Sequence, residues 1–90
     1  MMSEIDYCVV LFHSTQGAIK AERALTRAGL AVQLIPTPRQ FSSDCGTALR
    51  SRWEEVEDVR SALEAANVGF DSIHKMTAHA LLETGGEKRG

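Results

Sequence analysis

The apolar positions of this chain change period several times, and each change marks an element. Ile5 to Phe12 (IDYCVVLF) places Ile5, Tyr7, Val9 and Leu11 on one face and Cys8, Val10 and Phe12 on the other. Its β-branched and aromatic residues predict a strand, and two apolar faces beyond Asp6 predict a central one, covered on both sides. The period then lengthens. Ala18, Ala21, Leu25 and Ala28 fall at i, i+3, i+7 and i+10, one stripe of an amphipathic helix, with Lys20, Arg23 and Arg27 opposite. Ser14 stands at the N-cap position, and Gly29 followed by Leu30 has the form of a Schellman stop.

Leu30 to Ile35 predicts a short second strand, with Leu30, Val32 and Leu34 on one side and Gln33 on the other. Thr47 to Trp53 predicts a third. Leu49 and Trp53 share a face there, while Arg50 and Arg52 share the opposite one. That arginine pair reads first as a solvated strand face and second as an anion-contacting patch. Glu54 to Asn67 repeats the helical spacing through Val56, Val59, Leu63 and Ala66, and Glu54, Glu55, Glu57 and Asp58 suit the positive end of the helix dipole. Asn67-Val68-Gly69 supplies the stop. Phe70 to Met76 predicts a fourth strand of poor alternation, because Phe70 and Met76 share a parity that Ile73 lacks; a bulge or a ragged edge strand would account for it. Thr77 to Glu83 predicts a short helical turn through Ala78, Leu81 and Leu82, and Thr84 to Gly90 (TGGEKRG) a disordered tail.

The resulting order, β-α-β-β-α-β, predicts an α+β ferredoxin-like sandwich: a four-stranded antiparallel sheet in the order 4-1-3-2 with both helices on one face. One domain over residues 1–76 and a C-terminal extension over 77–90 are expected. The first and second strands then run the same way. The loop after the second should lie at the end of the sheet where His13, Ser14 and Thr15 open the first helix.

Composition narrows the partners. Ninety residues allow one domain with a modest core, and a formal charge of −2 offers no field for a nucleic-acid backbone. The longest apolar run, Tyr7 to Phe12, is far short of a membrane span, and the first residues lack a secretory pattern. A reducing cytoplasm is therefore the expected compartment, and the two cysteines, Cys8 and Cys45, do not make a disulfide scaffold. Cys8, inside the first strand, reads as a small buried hydrophobe. His13, His74, His79, Cys8 and Cys45 are the available metal ligands, yet none fall at paired zinc spacings; no metal or cofactor is expected. His74 and His79 read as surface histidines.

The chemistry concentrates between the second and third strands, in Ile35-Pro36-Thr37-Pro38-Arg39-Gln40-Phe41-Ser42-Ser43-Asp44-Cys45-Gly46. Both prolines of the chain are here, and they stop the strand and stiffen the chain beyond it. Ser42, Ser43 and Asp44 can bond nearby backbone, and Gly46 gives the exit freedom. Cys45 is thus read as a presented thiol. A helix N-terminus and the cations of His13 and Arg39 would favour its thiolate, while Asp44 would oppose it.

Val9-Val10-Leu11-Phe12-x-Ser14-Thr15, then Ala18, Ala21 and Glu22, then the PTPR run and Ser42-Ser43-x-Cys45-Gly46-x-Ala48-Leu49, together resemble a family of small bacterial selenium/sulfur (Se/S) carrier-like proteins. The resemblance runs from about Tyr7 to about Lys75, with the PTPR…SS-x-CG block its most specific part. It implies a cysteine that carries sulfur or selenium as a persulfide-type adduct, with Cys45 at the matching position. Arg39, Ser42, Ser43, Asp44, Gly46, His13, Ser14 and Thr15 would be its surroundings, and donor and acceptor proteins its partners. Such a protein would be an accessory carrier rather than a stand-alone enzyme. The Cys-Pro-x-Pro helix start of another sulfur-carrier class is absent here. The alternative is a regulatory module that binds a small anion or a partner through the same loop, with Cys45 incidental. In either case the open sheet face is a surface through which two copies could pair.

Overall fold

A computed structural model describes residues 6–41 and 46–77. It has the order β1 (Asp6–Leu11), α1 (Thr15–Arg27), β2 (Gln33–Pro36), β3 (Thr47–Arg52), a 3-10 turn (Trp53–Glu55), α2 (Val56–Ala65) and β4 (Ser72–Thr77). The four strands form one antiparallel sheet in the order β2-β3-β1-β4, the small α+β ferredoxin-like arrangement expected from the element order. β1 is central, with Leu11 opposite Ala48 on one side and Ser72 on the other. The start of the first predicted strand (Ile5), the loop residues Ser42, Ser43, Asp44 and Cys45, and the predicted turn and tail beyond Thr77 lie outside the described residues. Thr77 itself ends β4.

The two faces of β1 feed two apolar clusters. Cys8, Val10 and Phe12 meet Leu49 and the helix residues Ala18, Ala21, Leu25, Val56, Val59 and Leu63. On the other side Val9 and Leu11 meet Ala48 and Met76, with Ile35 and Phe41 packed against them. The helical stripes hold for three of their four positions: Ala28 and Ala66 are exposed, because each is a C-cap one step past the last turn.

Local signals set the ends. Ser14 accepts a hydrogen bond from the Gly17 N–H at 3.1 Å, and α1 closes as a full Schellman motif, with Leu30 N–H on Leu25 O and Gly29 N–H on Thr26 O, both 3.0 Å. α2 closes the same way with Asn67 at φ 61°, its neighbour Val68 N–H reaching Leu63 O at 2.9 Å. Asparagine here does what glycine does in α1. α2 is shorter than predicted, since Trp53 to Glu55 forms a 3-10 turn and no side chain caps the entry at Glu55.

β4 pairs with β1 without a bulge. Its alternation looked poor because Phe70 precedes the strand and packs with the helix-side cluster. Within the strand, Ile73 takes the helix side, and Ser72, His74 and Met76 share the open one.

Gly17 sits in the first turn of α1, where an added Cβ would meet Ser14 Oγ at 3.5 Å and Phe12 at 3.9 Å, ordinary contacts. Glycine in a helix costs about 0.5–1 kcal/mol relative to alanine. Gly17→Ala should therefore stabilise the fold by about that amount in urea denaturation; an unchanged or lower midpoint would contradict it.

Candidate functional site

The β2–β3 connection is built from both prolines. Thr37 N–H donates to Gly46 O at 3.0 Å, which makes 37 and 46 a hydrogen-bonded pair and, by alternation, also Ile35 with Ala48. Leu34 and Pro36 then turn their backbone polar groups outward from the sheet. Pro36 can end this strand because its missing N–H falls on the free edge. Beyond it Phe41 N–H donates to Pro38 O at 3.0 Å, closing a turn with Arg39 and Gln40 at its corners and Pro38 buried.

Arg39 is exposed at that corner, and Gly46 is exposed with its carbonyl taken by Thr37. His13, Ser14 and Thr15 are exposed at the α1 entry, and Ser14 Oγ is engaged in capping. The register of β1 and β3 brings the Gly46 end of the connection to the same end of the sheet as these three residues. Cys45, Ser42, Ser43 and Asp44 are outside the described residues.

The described part of the connection runs over the open face of the sheet, opposite the helices. Phe41 packs on the Val9–Leu11–Ala48–Met76 cluster, and its ring stacks on His74 with centroids 4.3 Å apart and planes at 28°. His74 Nε2 shares a 2.9 Å hydrogen bond with Ser72 Oγ two residues earlier on the same face. Phe41 comes from beyond the β2 edge and His74 from the β4 edge, so this contact spans β3 and β1. The sequence reads His74 as a surface histidine and gives Phe41 no role, whereas both are half-buried against each other.

The other thiol is unavailable. Cys8 is fully buried, and burial pushes its pKa up to about 11, with Arg60 pulling weakly the other way. Arg50 lies over Tyr7, its guanidinium carbon 4.6 Å from the ring centroid, and bonds the Gln33 side chain; Arg52 pairs with Glu54 at 3.6 Å. Arg50 is thus held by neighbours on the flanking strands, and Arg52 by the 3-10 turn that follows its own strand. Among the described residues no group of three or more His, Cys, Asp or Glu could hold a metal ion, and no helix is long and apolar enough to cross a membrane.

Comparison with curated proteins and with solved structures finds no match to this chain. A family model does match, over residues 7–75, which takes in all of β1 but Asp6, both helices, the whole proline-containing connection and most of β4. The chain belongs to the family described as Putative Se/S carrier protein-like.

Proposed function

We propose that this protein is a sulfur or selenium carrier that holds its cargo on Cys45. The observation that carries the reading is the state of Cys8. A thiol-borne cargo needs a thiol, the chain has two, and Cys8 is sealed in the core with its proton held to about pH 11. Carrier chemistry therefore falls to Cys45, one peptide bond before Gly46.

In the loading step the Cys45 thiolate attacks the terminal sulfur of a donor persulfide. The new S–S bond forms as the donor's own S–S bond breaks, and the donor leaves as a thiolate, which takes up a proton. One sulfur atom moves with no net oxidation. Unloading repeats the exchange with an acceptor nucleophile. Arg39 supplies a cation and Ser42, Ser43 and Gly46 hydrogen-bonding groups for the anionic terminal sulfur, while Asp44 limits how far the thiolate is favoured. Because Cys8 is buried, an internal disulfide that would expel the cargo is disfavoured.

The test is incubation with a persulfide-loaded cysteine desulfurase followed by intact and peptide mass spectrometry. One added sulfur atom on Cys45, none on Cys8, and no uptake by Cys45→Ser is the expected result. Uptake that survives Cys45→Ser would overturn the assignment. A wild-type protein that takes up no sulfur would point instead to a binding loop, which serine at 45 should leave intact.

A further inference from the structure

We infer that the protein forms a twofold-symmetric dimer through its helix layer, with α1 of each copy lying on α2 of the other.

The outer sides of the two helices carry opposite charge. Lys20, Arg23 and Arg27 are exposed along α1, and Glu57, Asp58 and Glu64 along α2. Helical spacing gathers each set into a ridge. Positions 20, 23 and 27 recur at i, i+3 and i+7 on the side away from the buried Ala18, Ala21 and Leu25. The acids of α2 stand likewise away from the buried Val56, Val59 and Leu63. Glu57 pairs with Arg60 at 3.9 Å, but among the described residues Lys20, Arg23, Arg27, Asp58 and Glu64 are in no ion pair.

Between the ridges runs a groove of about 340 Å³ walled by Ala24, Ala28, Ala62, Ala65 and Ala66, with Arg27 at its rim. Methyl side chains let another helix layer approach closely. Ile19, an exposed large apolar side chain, lies one turn before Arg23 on α1.

This distribution selects a second copy as the occupant. An acidic partner would complement α1 and be repelled by α2, and a basic one the reverse. A copy turned about an axis along the groove sets each α1 on the other α2, so the same attraction is made twice. Rotation about an axis across the helices would stack α1 on α1, where like charges repel. The open face of the sheet offers less apolar area, because Val9, Leu11, Ala48 and Met76 are no more than 5% exposed. Pairing through the helices also leaves the described part of the β2–β3 connection on the outside of both copies. Exposed ion pairs contribute little apiece. The dimer is therefore weak, builds up with concentration and loosens in salt.

Sedimentation velocity on the full chain, with its thiols kept reduced, tests the pairing. Wild type should move from monomer toward dimer as its concentration rises toward about 1 mM, and added salt should reverse the shift. Two double variants put one sign of charge on both helices. Lys20→Glu with Arg23→Glu makes both acidic, and Asp58→Lys with Glu64→Lys makes both basic. Each alone should self-associate more weakly by roughly tenfold or more. An equimolar mixture of the two should associate again, because every α1 then meets an α2 of opposite sign.

A wild type that stays monomeric overturns the proposal. So does a dimer insensitive to salt, a result that needs no variant. Self-association that survives either double variant assigns the contact to another surface, such as the open sheet face, and overturns it equally. The last such result is a mixture that fails to associate although both variants keep the wild-type far-UV spectrum.

Discussion

Replacing Phe12 by alanine is expected to cost about 3–5 kcal/mol of folding stability, the range for truncating a buried aromatic side chain. A domain of this length has only about 5–13 kcal/mol in all, so the variant should sit near the edge of folding. Phe12 is 1% exposed and among the largest fully buried side chains. It directly follows the central strand and lies under the first turn of α1, within 3.9 Å of where a Gly17 Cβ would stand. Its helix-side neighbours in the core include Ala18 and Ala21, which have no side-chain length with which to fill a hole. The cavity should therefore persist, and its cost fall at the high end of the range. Urea unfolding at constant m value measures it. Phe12→Leu, which keeps most of the volume, should lose much less; a loss under about 1 kcal/mol for alanine would mean that α1 can settle into the gap.

The second large effect is a loss of stability at alkaline pH caused by Cys8. Its thiol has an ordinary value of 9.0 and a folded value of about 11. Above pH 9 the unfolded chain releases this proton while the folded protein keeps it. The unfolded state then binds fewer protons, so unfolding becomes more favourable as pH rises, until the folded thiol also ionises near pH 11. The contribution is fully present below pH 9 and is lost through that window, for a total of about 2–3 kcal/mol. The informative quantity is the difference between wild type and Cys8→Ala across about pH 8 to 11, in which the contributions shared by the two proteins cancel. That difference should shrink with pH; a constant difference would mean that water reaches the Cys8 sulfur. Below pH 9 the same protection should leave Cys8 unalkylated in the folded protein.

Much of the architecture can be read from local pattern, for reasons specific to each element. Two apolar faces on IDYCVVLF require a central strand, and the structure places β1 between β3 and β4. Ser14 acts through a local side-chain cap, and Gly29 and Asn67 through backbone geometry, so their roles are visible without a tertiary context. The fourth strand was harder. A parity count that begins at Phe70 mixes a residue lying before the strand with those inside it, and this made a continuous ladder look irregular.

At the site, the family resemblance picks out Cys45 and its flanking residues, and Ser14 fills the capping role that its residue type suggests. Phe41 and His74 could not be found this way. Each is unremarkable in its own segment, and their meeting depends on a connection that leaves one edge of the sheet and lies across two strands to reach the other. Stacking across a sheet leaves no periodic trace in a single chain. Arg50 is a similar case: its partners Tyr7 and Gln33 lie on β1 and β2, the two strands that flank its own.

The outward-facing nitrogen of Pro36 has one more consequence. An open sheet offers two free rims to any extended chain, including a second copy of the same strand. On the β2 rim, Leu34 can still donate, but the next outward position has no proton to give, so an incoming strand loses its hydrogen bonding within one repeat. The β4 rim bears the exposed Lys75, whose ammonium lies 3.5 Å from Asp6 and 5.4 Å from the Trp53 ring centroid and would have to shed water if a neighbour docked. Each border thus discourages runaway polymerisation by a different means, one by a missing donor and one by a charge that must be desolvated. A strand-swapped or fibrillar by-product should then arise first when position 36 is given back its hydrogen.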